Sequence, residues 1–142
     1  MKKKRADKKP VHNTGLNITQ EKRDQVASIL AIMLGLLSMV EGGRVLLGLS
    51  IPGYTVHRWL VWYNVVMGGV SVIAGVGIWK AQEWNRSLAV NILALHAIVL
   101  VSLFGLKQMG QDIAMQSLFA MTFRTFTWIV INSLVRWKRE KG

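Results

Sequence analysis

Four long apolar stretches dominate the 142-residue sequence, and they restrict what it can fold into more than any other feature. They cover residues 26–50, 59–79, 87–106 and 113–135. The hydrocarbon core of a bilayer is about 30 Å thick, and roughly 20 helical residues cross it. A segment in lipid must bond its own backbone groups, so each crossing is expected to be a helix. The sequence therefore predicts an all-α, polytopic membrane protein with four transmembrane helices.

Charged residues inside the first and fourth stretches test this prediction. Glu41 and Arg44 lie in the first stretch and Arg124 lies in the fourth, whereas the second and third carry no charge. A charge at a helix centre costs roughly 2.5 to 3.5 kcal/mol on the insertion scale, and each Leu, Ile, Val or Phe returns roughly 0.3 to 0.6 kcal/mol. The first stretch is rich in these apolar residues and its charges lie toward one end. We therefore expect both stretches to insert.

The connections and the basic residues predict the topology. Each link between stretches is short, so neighbouring helices are expected to be antiparallel. Of the 18 Lys and Arg residues, fourteen flank the helix ends on one side and only Arg58 and Lys107 flank them on the other, while Arg44 and Arg124 lie inside the stretches. Because basic residues stay on the cytoplasmic side during insertion, this bias predicts a protein of the inner membrane with both termini in the cytoplasm. Five tryptophans lie at predicted interfaces, where Trp is enriched: Trp59, Trp62, Trp79, Trp84 and Trp137.

The chain divides into two parts by composition. Residues 1–25 are basic and polar, and we expect a cytoplasmic tail that is disordered at its start. Asn17 and Gln20 resemble a helix-capping pair, so the end of the tail could continue the first helix. Residues 26–142 form the four-helix transmembrane domain. The lysines at positions 2–9 could bind anionic lipid or could serve only as a topology signal.

Several classes of function are excluded or disfavoured by the sequence. The net charge of +11 collects at the ends of apolar runs and not on one face of a folded domain, which argues against a nucleic-acid partner. The absence of cysteine excludes disulfides and thiolate chemistry. Motifs that specify phosphate binding, a nucleophilic serine or a zinc protease are also absent. We therefore predict a protein that is not an enzyme and that uses no cofactor or metal.

Small and amide side chains mark the expected helix–helix contacts. In lipid, small residues allow close backbone approach and polar residues form bonds between helices. The packing candidates are Ala27, Ala31, Gly35, Asn64, Gly68, Ser71, Gly75, Asn91 and Asn132. Asn91 and Asn132 have similar depths on adjacent helices, which favours a hydrogen bond between them. The small-residue faces could pack within one bundle or against a second copy or a larger membrane complex.

Four ionisable residues lie at membrane depth: Glu41, Arg44, His96 and Arg124. Glu41 and Arg124 have nearly matching depths on helices that should be neighbours, so we expect them to form an ion pair. Arg44 is closer to the surface and can extend to the headgroups. A single histidine near the midplane, such as His96, favours hydrogen-bonded packing over haem ligation, which would need a second histidine.

Two hypotheses for the function follow. The first is a non-enzymatic scaffold or accessory subunit in which a buried Glu-Arg pair orients the helices. The second is a small proton- or cation-coupled transporter that uses Glu41, modulated by Arg124 and with His96 as a possible relay, which requires an aqueous cavity reaching Glu41. Glu41 in the first of four helices resembles the carboxylate that small multidrug-resistance exporters use for proton exchange. The resemblance covers that residue and the helix count, while Arg44 and Arg124 depart from it.

Overall fold

Four helices form the protein, as a computed structural model of residues 14–135 shows, with side chains described from residue 19 onward. The helices are α1 (Thr14–Leu46), α2 (Arg58–Trp79), α3 (Asn85–Gln108) and α4 (Met115–Leu134). The all-α bundle predicted from the sequence is confirmed. The Lys cluster at 2–9, the start of the predicted tail and Trp137 lie outside the described residues.

Three of the helices are long and apolar enough to cross a membrane. They are the part of α1 from Thr19 to Leu46, α2 and α3. α4 spans 20 residues and is more polar, because it carries Arg124 and several hydroxyl and amide side chains. Its exposed face is nevertheless lined by large apolar side chains, among them Phe119, Phe123 and Phe126. The chain is therefore embedded in a membrane, with an apolar surface turned toward lipid.

The C-terminal ends of α1, α2 and α3 share one backbone geometry. After α1, Gly48 has a φ of 71°, its amide donates to the Val45 carbonyl, and the Leu49 amide donates to the Arg44 carbonyl. This bonding pattern is the Schellman motif, in which a residue with positive φ closes the helix. The sequence predicted this helix to continue to residue 50, but Gly48 ends it at Leu46. Gly110 after α3 and Ala81 after α2 make the same pair of bonds.

The four helices form a ring in chain order. Contacts join α1 to α2, α2 to α3, α3 to α4 and α4 back to α1. This is the antiparallel arrangement that the short connections predicted. We call the end of the bundle that carries the connections 47–57 and 109–114 the distal end, and the opposite end the proximal end.

Close contact between α1 and α2 depends on glycine. A Cβ atom added to Gly35 would lie 2.5 Å from the Gly68 carbonyl oxygen, and one added to Gly68 would lie 2.7 Å from that of Gly35. Gly75 approaches the Ser28 carbonyl in the same way, and the Ser28 hydroxyl donates to the Gly75 carbonyl over 2.7 Å. The two backbones therefore touch directly, as small residues permit in membranes.

Apolar packing differs between the two halves of the bundle. In the proximal half, all four helices contribute to one buried cluster, whose centre includes Ala31, Ala74, Ile92 and Trp128. In the distal half, the buried cluster comes from α2, α3, α4 and Ile113, without any residue of α1. The distal half of α1 thus packs against α2 without adding a residue to this cluster.

The N-terminal part of α1 extends past the proximal end and contacts the end of α4. The Gln20 side-chain amide donates to the Leu134 carbonyl over 3.3 Å, and the Arg23 guanidinium donates to the Ser133 carbonyl over 3.2 Å. Carbonyls in the last turn of a helix have no partner within it and carry partial negative charge. Gln20 and Arg23 therefore cap α4 from another helix, in a segment that the sequence assigned to the tail.

A polar cluster at the bundle centre as candidate functional site

Arg124 is the charged group at the centre of the bundle. Its side chain is 9% exposed, and its Nε donates a hydrogen bond to the Ser38 hydroxyl of α1 over 3.1 Å. Ser38 in turn donates to the Leu34 carbonyl one turn earlier, so its oxygen is fixed in place as an acceptor. Within the described part of the chain, the terminal nitrogens of Arg124 have no hydrogen-bond acceptor. Arg124 therefore uses one of its donor groups to join α4 to α1.

The predicted ion pair between Glu41 and Arg124 is wrong as a direct contact. Glu41 is exposed, and no carboxylate of a described residue lies within 4.0 Å of the guanidinium, although Glu41 acts on it electrostatically. The early end of α1 explains the difference. At 1.5 Å per residue, Ser38 lies about 12 Å and Glu41 only about 8 Å from the distal end of α1, whereas Arg124 lies about 14 Å from that of α4. Ser38 is the residue at the depth of Arg124.

His96 and Tyr63 form a second polar contact beside Arg124. The Tyr63 hydroxyl lies 2.6 Å from Nδ1 of His96, and the two rings meet edge to face with centroids 5.7 Å apart. His96 is 2% exposed, and Arg124 acts electrostatically on both side chains. This hydrogen bond joins α2 to α3, which pack together less extensively than the other neighbours in the ring. His96 thus has a hydrogen-bond partner on α2, which the sequence analysis did not identify.

A cavity of about 110 Å³ reaches this cluster from the distal end. It lies among α1, α2 and α4, in the half of the bundle where α1 takes no part in the apolar core. Glu41, Asn64 and Arg124 are on its wall. The side-chain oxygen of Asn64 is buried and has no hydrogen-bond partner. The cavity therefore brings together two opposite charges that are not in direct contact with each other.

The connection between α1 and α2 covers the mouth of this cavity. Tyr54 and His57 contribute to the lining. The connection is attached to the one between α3 and α4, because the Thr55 hydroxyl bonds the Asp112 carboxylate and a His57 ring nitrogen lies 3.1 Å from the Asp112 carbonyl. These bonds hold the covering segment across the distal end.

The remaining polar candidates lie elsewhere. Arg44 is exposed on α1, as expected for a side chain that reaches the headgroups. The predicted bond between Asn91 and Asn132 does not form, because Asn91 is exposed and Asn132 donates to the Ala89 and Trp128 carbonyls. Residues two apart on a helix point about 200° apart. Ala89 faces α4, so Asn91 points away from it.

The small-residue candidates lie in the interface between α1 and α2. Gly35, Gly68 and Gly75 make the backbone contacts described above. Ala27 and Ala31 are fully buried, and Ser71 is 3% exposed. These placements match the two faces that the sequence indicated, within a single copy of the chain.

Two residues of the cluster, Ser38 and Tyr63, were not predicted from the sequence to belong to a site. Ser38 lies one turn after Gly35 and one turn before Glu41, and it is at the depth of Arg124. Tyr63 could have been noticed as a hydroxyl inside a segment without charges. Neither could be assigned a partner, because a partner depends on helix rotation, which the sequence does not give.

The chemistry available to the cluster is hydrogen bonding and charge. Among the described residues, no group of three or more His, Cys, Asp or Glu side chains could hold a metal ion. The donor groups are the Arg124 guanidinium and the Tyr63 hydroxyl, and the acceptors are Glu41 and Asn64. Such a set can hold helices together or bind a small polar molecule.

Comparison with known proteins gives no family to which the chain can be assigned. No protein-family model, no curated protein and no solved structure matches it.

Proposed function

We propose that this chain is a non-enzymatic scaffold or accessory subunit of a larger assembly in the inner membrane, with both termini in the cytoplasm. The basic residues at the helix ends support the orientation. The observation that carries the proposed role is the polar cluster itself. Ser38, Tyr63, His96 and Arg124 come one from each helix, and their bonds join α1 to α4 and α2 to α3.

The packing below the cluster supports a role without transport. The proximal half of the bundle is filled by apolar side chains from all four helices, including Ile92 and Trp128. The backbones of α1 and α2 also touch there, at Ser28 and Gly75. A polar path from Arg124 to the proximal end would have to pass through this core, and buried polar groups without partners are costly. The cluster therefore acts as a fixed element that sets the rotation and depth of each helix.

A second candidate function is proton- or cation-coupled transport through Glu41. The cavity favours it, because a transporter requires water to reach this carboxylate, and Glu41 lies on the cavity wall. In this case the distal end would be the open side, and the proximal core would have to open during the transport cycle.

Substitution of Glu41 by Gln separates the two functions. The purified protein is reconstituted in liposomes that contain a pH-sensitive dye, and proton flux is measured with and without an imposed gradient. The scaffold proposal expects the native chain and E41Q to match empty liposomes. Proton or cation flux that E41Q abolishes, and that the matched surface variant R44Q keeps, would replace the scaffold by the transporter.

Assembly is the positive test of the scaffold proposal. The chain carrying an affinity tag is extracted from its own membranes in mild detergent, and the mass of its complex is measured by light scattering after size exclusion. We expect a complex larger than the purified chain alone, with defined stoichiometry, that dissociates in S38A. If the native chain and S38A both had the mass of a single free copy, the result would contradict the proposal.

A further inference from the structure

The distal cavity has the charge arrangement of a binding site for a small dipolar molecule. Glu41 and Arg124 lie on the same wall without an ion pair between them. Two opposite charges with access to each other normally gain from direct contact, most of all at low dielectric constant. Here Ser38 fixes Nε of Arg124 deeper in the bundle, and Glu41 lies one turn closer to the distal end. Because of this bond and this difference in depth, the two charges remain apart on the cavity wall.

Arg124 supplies the anion-binding part of this site. Its guanidinium has planar, paired donors, and only Nε is used by the protein. The side chain is nine-tenths buried, but its terminal nitrogens, which have no acceptor among the described residues, remain accessible from the cavity side. They therefore face the cavity. A carboxylate or phosphate could accept two parallel hydrogen bonds there, which is the geometry that guanidinium groups favour.

Glu41 supplies the complementary part. Its carboxylate lies on the cavity wall and accepts no hydrogen bond from a described residue. A primary ammonium group offers three donors and a positive charge. Glu41 is therefore suited to an ammonium group.

We propose that the cavity binds a small zwitterion, with its carboxylate or phosphate on Arg124 and its primary ammonium on Glu41. The volume of about 110 Å³ holds several water molecules or one small polar ligand. A free amino acid and the headgroup of phosphatidylethanolamine both present this chemistry. The site goes beyond the proposed scaffold role, which does not require a ligand.

Thermal unfolding of the purified, delipidated chain in detergent tests whether a free amino acid is the ligand. Glycine and L-alanine are the probes, and acetate and methylammonium are the matched single-charge controls. A ligand that binds the folded state raises its melting temperature. We expect a concentration-dependent rise with an amino acid and none with either single charge at equal concentration. A rise of the same size with acetate alone would overturn the zwitterion assignment.

Nanodiscs test whether the headgroup of phosphatidylethanolamine is the ligand. The melting temperature is compared in discs of phosphatidylethanolamine and of phosphatidylcholine, whose quaternary ammonium has no N–H donor. A higher value with phosphatidylethanolamine, lost in E41Q, supports the headgroup as ligand. A response to amino acids with no difference between the lipids supports a free ligand. No response in either experiment would overturn the proposal.

Variants locate the site. E41Q and R124Q should each weaken binding by about tenfold or more, since a hydrogen bond to a charged group is stronger than one between neutral groups. R44Q is the matched control, because Arg44 is exposed on the same helix and does not line the cavity. If R124Q does not fold, E41Q carries the test, with R44Q as its control. Equal affinity of the native chain and E41Q would overturn the proposal, whatever the outcome of the assembly measurement.

Discussion

At the scale of single residues, the positions of three polar side chains depend on a few ångströms of helix length. Glu41 and Arg124 were expected to pair because the sequence placed them at similar depth. Gly48 ends α1 four residues earlier than the apolar pattern suggested, and this moves Glu41 toward the distal end by about 6 Å. Ser38 takes its place as the partner of Arg124.

Replacement of Ser38 by Ala should destabilise the protein, because Nε of Arg124 loses its acceptor while it stays buried. An unpaired buried donor costs about 1 to 3 kcal/mol. The free energy of unfolding is measured by SDS titration in mixed micelles. S102A is the control, because Ser102 makes the same bond to the carbonyl four residues earlier but is exposed on α3. Equal effects of the two substitutions would contradict a role for Ser38 in satisfying Arg124.

At the scale of helices, the sequence predicted the type, order and number of the elements, but it predicted their end residues less accurately. Apolar length identifies a crossing helix regardless of its neighbours. The ends depend on local turns such as those at Gly48 and Gly110, and on contacts such as that of Gln20 with the end of α4. Polar residues continue α1 on the N-terminal side of its apolar stretch to Thr14, and two of them, Gln20 and Arg23, bond the end of α4, which apolar length cannot reveal.

Gly35→Ala should weaken the contact between α1 and α2. The new Cβ would lie 2.5 Å from the Gly68 carbonyl oxygen, which is backbone and cannot rotate away. Overpacking of this kind costs about 1 to 3 kcal/mol. The SDS unfolding assay measures the loss. G43A is the control on the same helix, because nothing lies within 4 Å of the added atom. G43A should be neutral or stabilising by up to about 1 kcal/mol, and a G35A protein as stable as G43A would contradict the direct contact between the two backbones.

Ala81→Gly should stabilise the end of α2. Ala81 has a φ of 51°, in the left-handed region where a Cβ atom costs roughly 1 to 2 kcal/mol. Glycine removes this strain but adds freedom to the unfolded chain, so a net gain of about 1 kcal/mol is expected. G110A provides the reciprocal control, because Gly110 has a φ of 82° in the same motif and should lose stability. The same shift in both variants would contradict this account.

At the scale of the whole molecule, the two halves of the ring of antiparallel helices differ in how α1 packs. In the proximal half, α1 belongs to the buried apolar cluster that all four helices form. In the distal half, the buried cluster comes from α2, α3, α4 and Ile113, and a cavity that contains Glu41 and Arg124 on its wall lies beside α1.

The orientation of the whole molecule can be tested directly, because the chain contains no cysteine. Single variants G53C and Q82C place one thiol at an exposed position in the connection after α1 or after α2. A membrane-impermeant maleimide should label G53C in intact cells, and Q82C only after permeabilisation, since basic residues are retained on the cytoplasmic side. The reverse labelling pattern would overturn the proposed topology.

The sequence alone determined that four helices form and that successive helices run in opposite directions. This was possible because hydrocarbon requires every long apolar segment to satisfy its own backbone, and short links leave no other arrangement. Only the tertiary structure decided which polar residues meet. The pairing of Ser38 with Arg124 and of Tyr63 with His96 requires matching depth and rotation of the helices, which also depend on the glycine contacts between α1 and α2 and on where each helix ends.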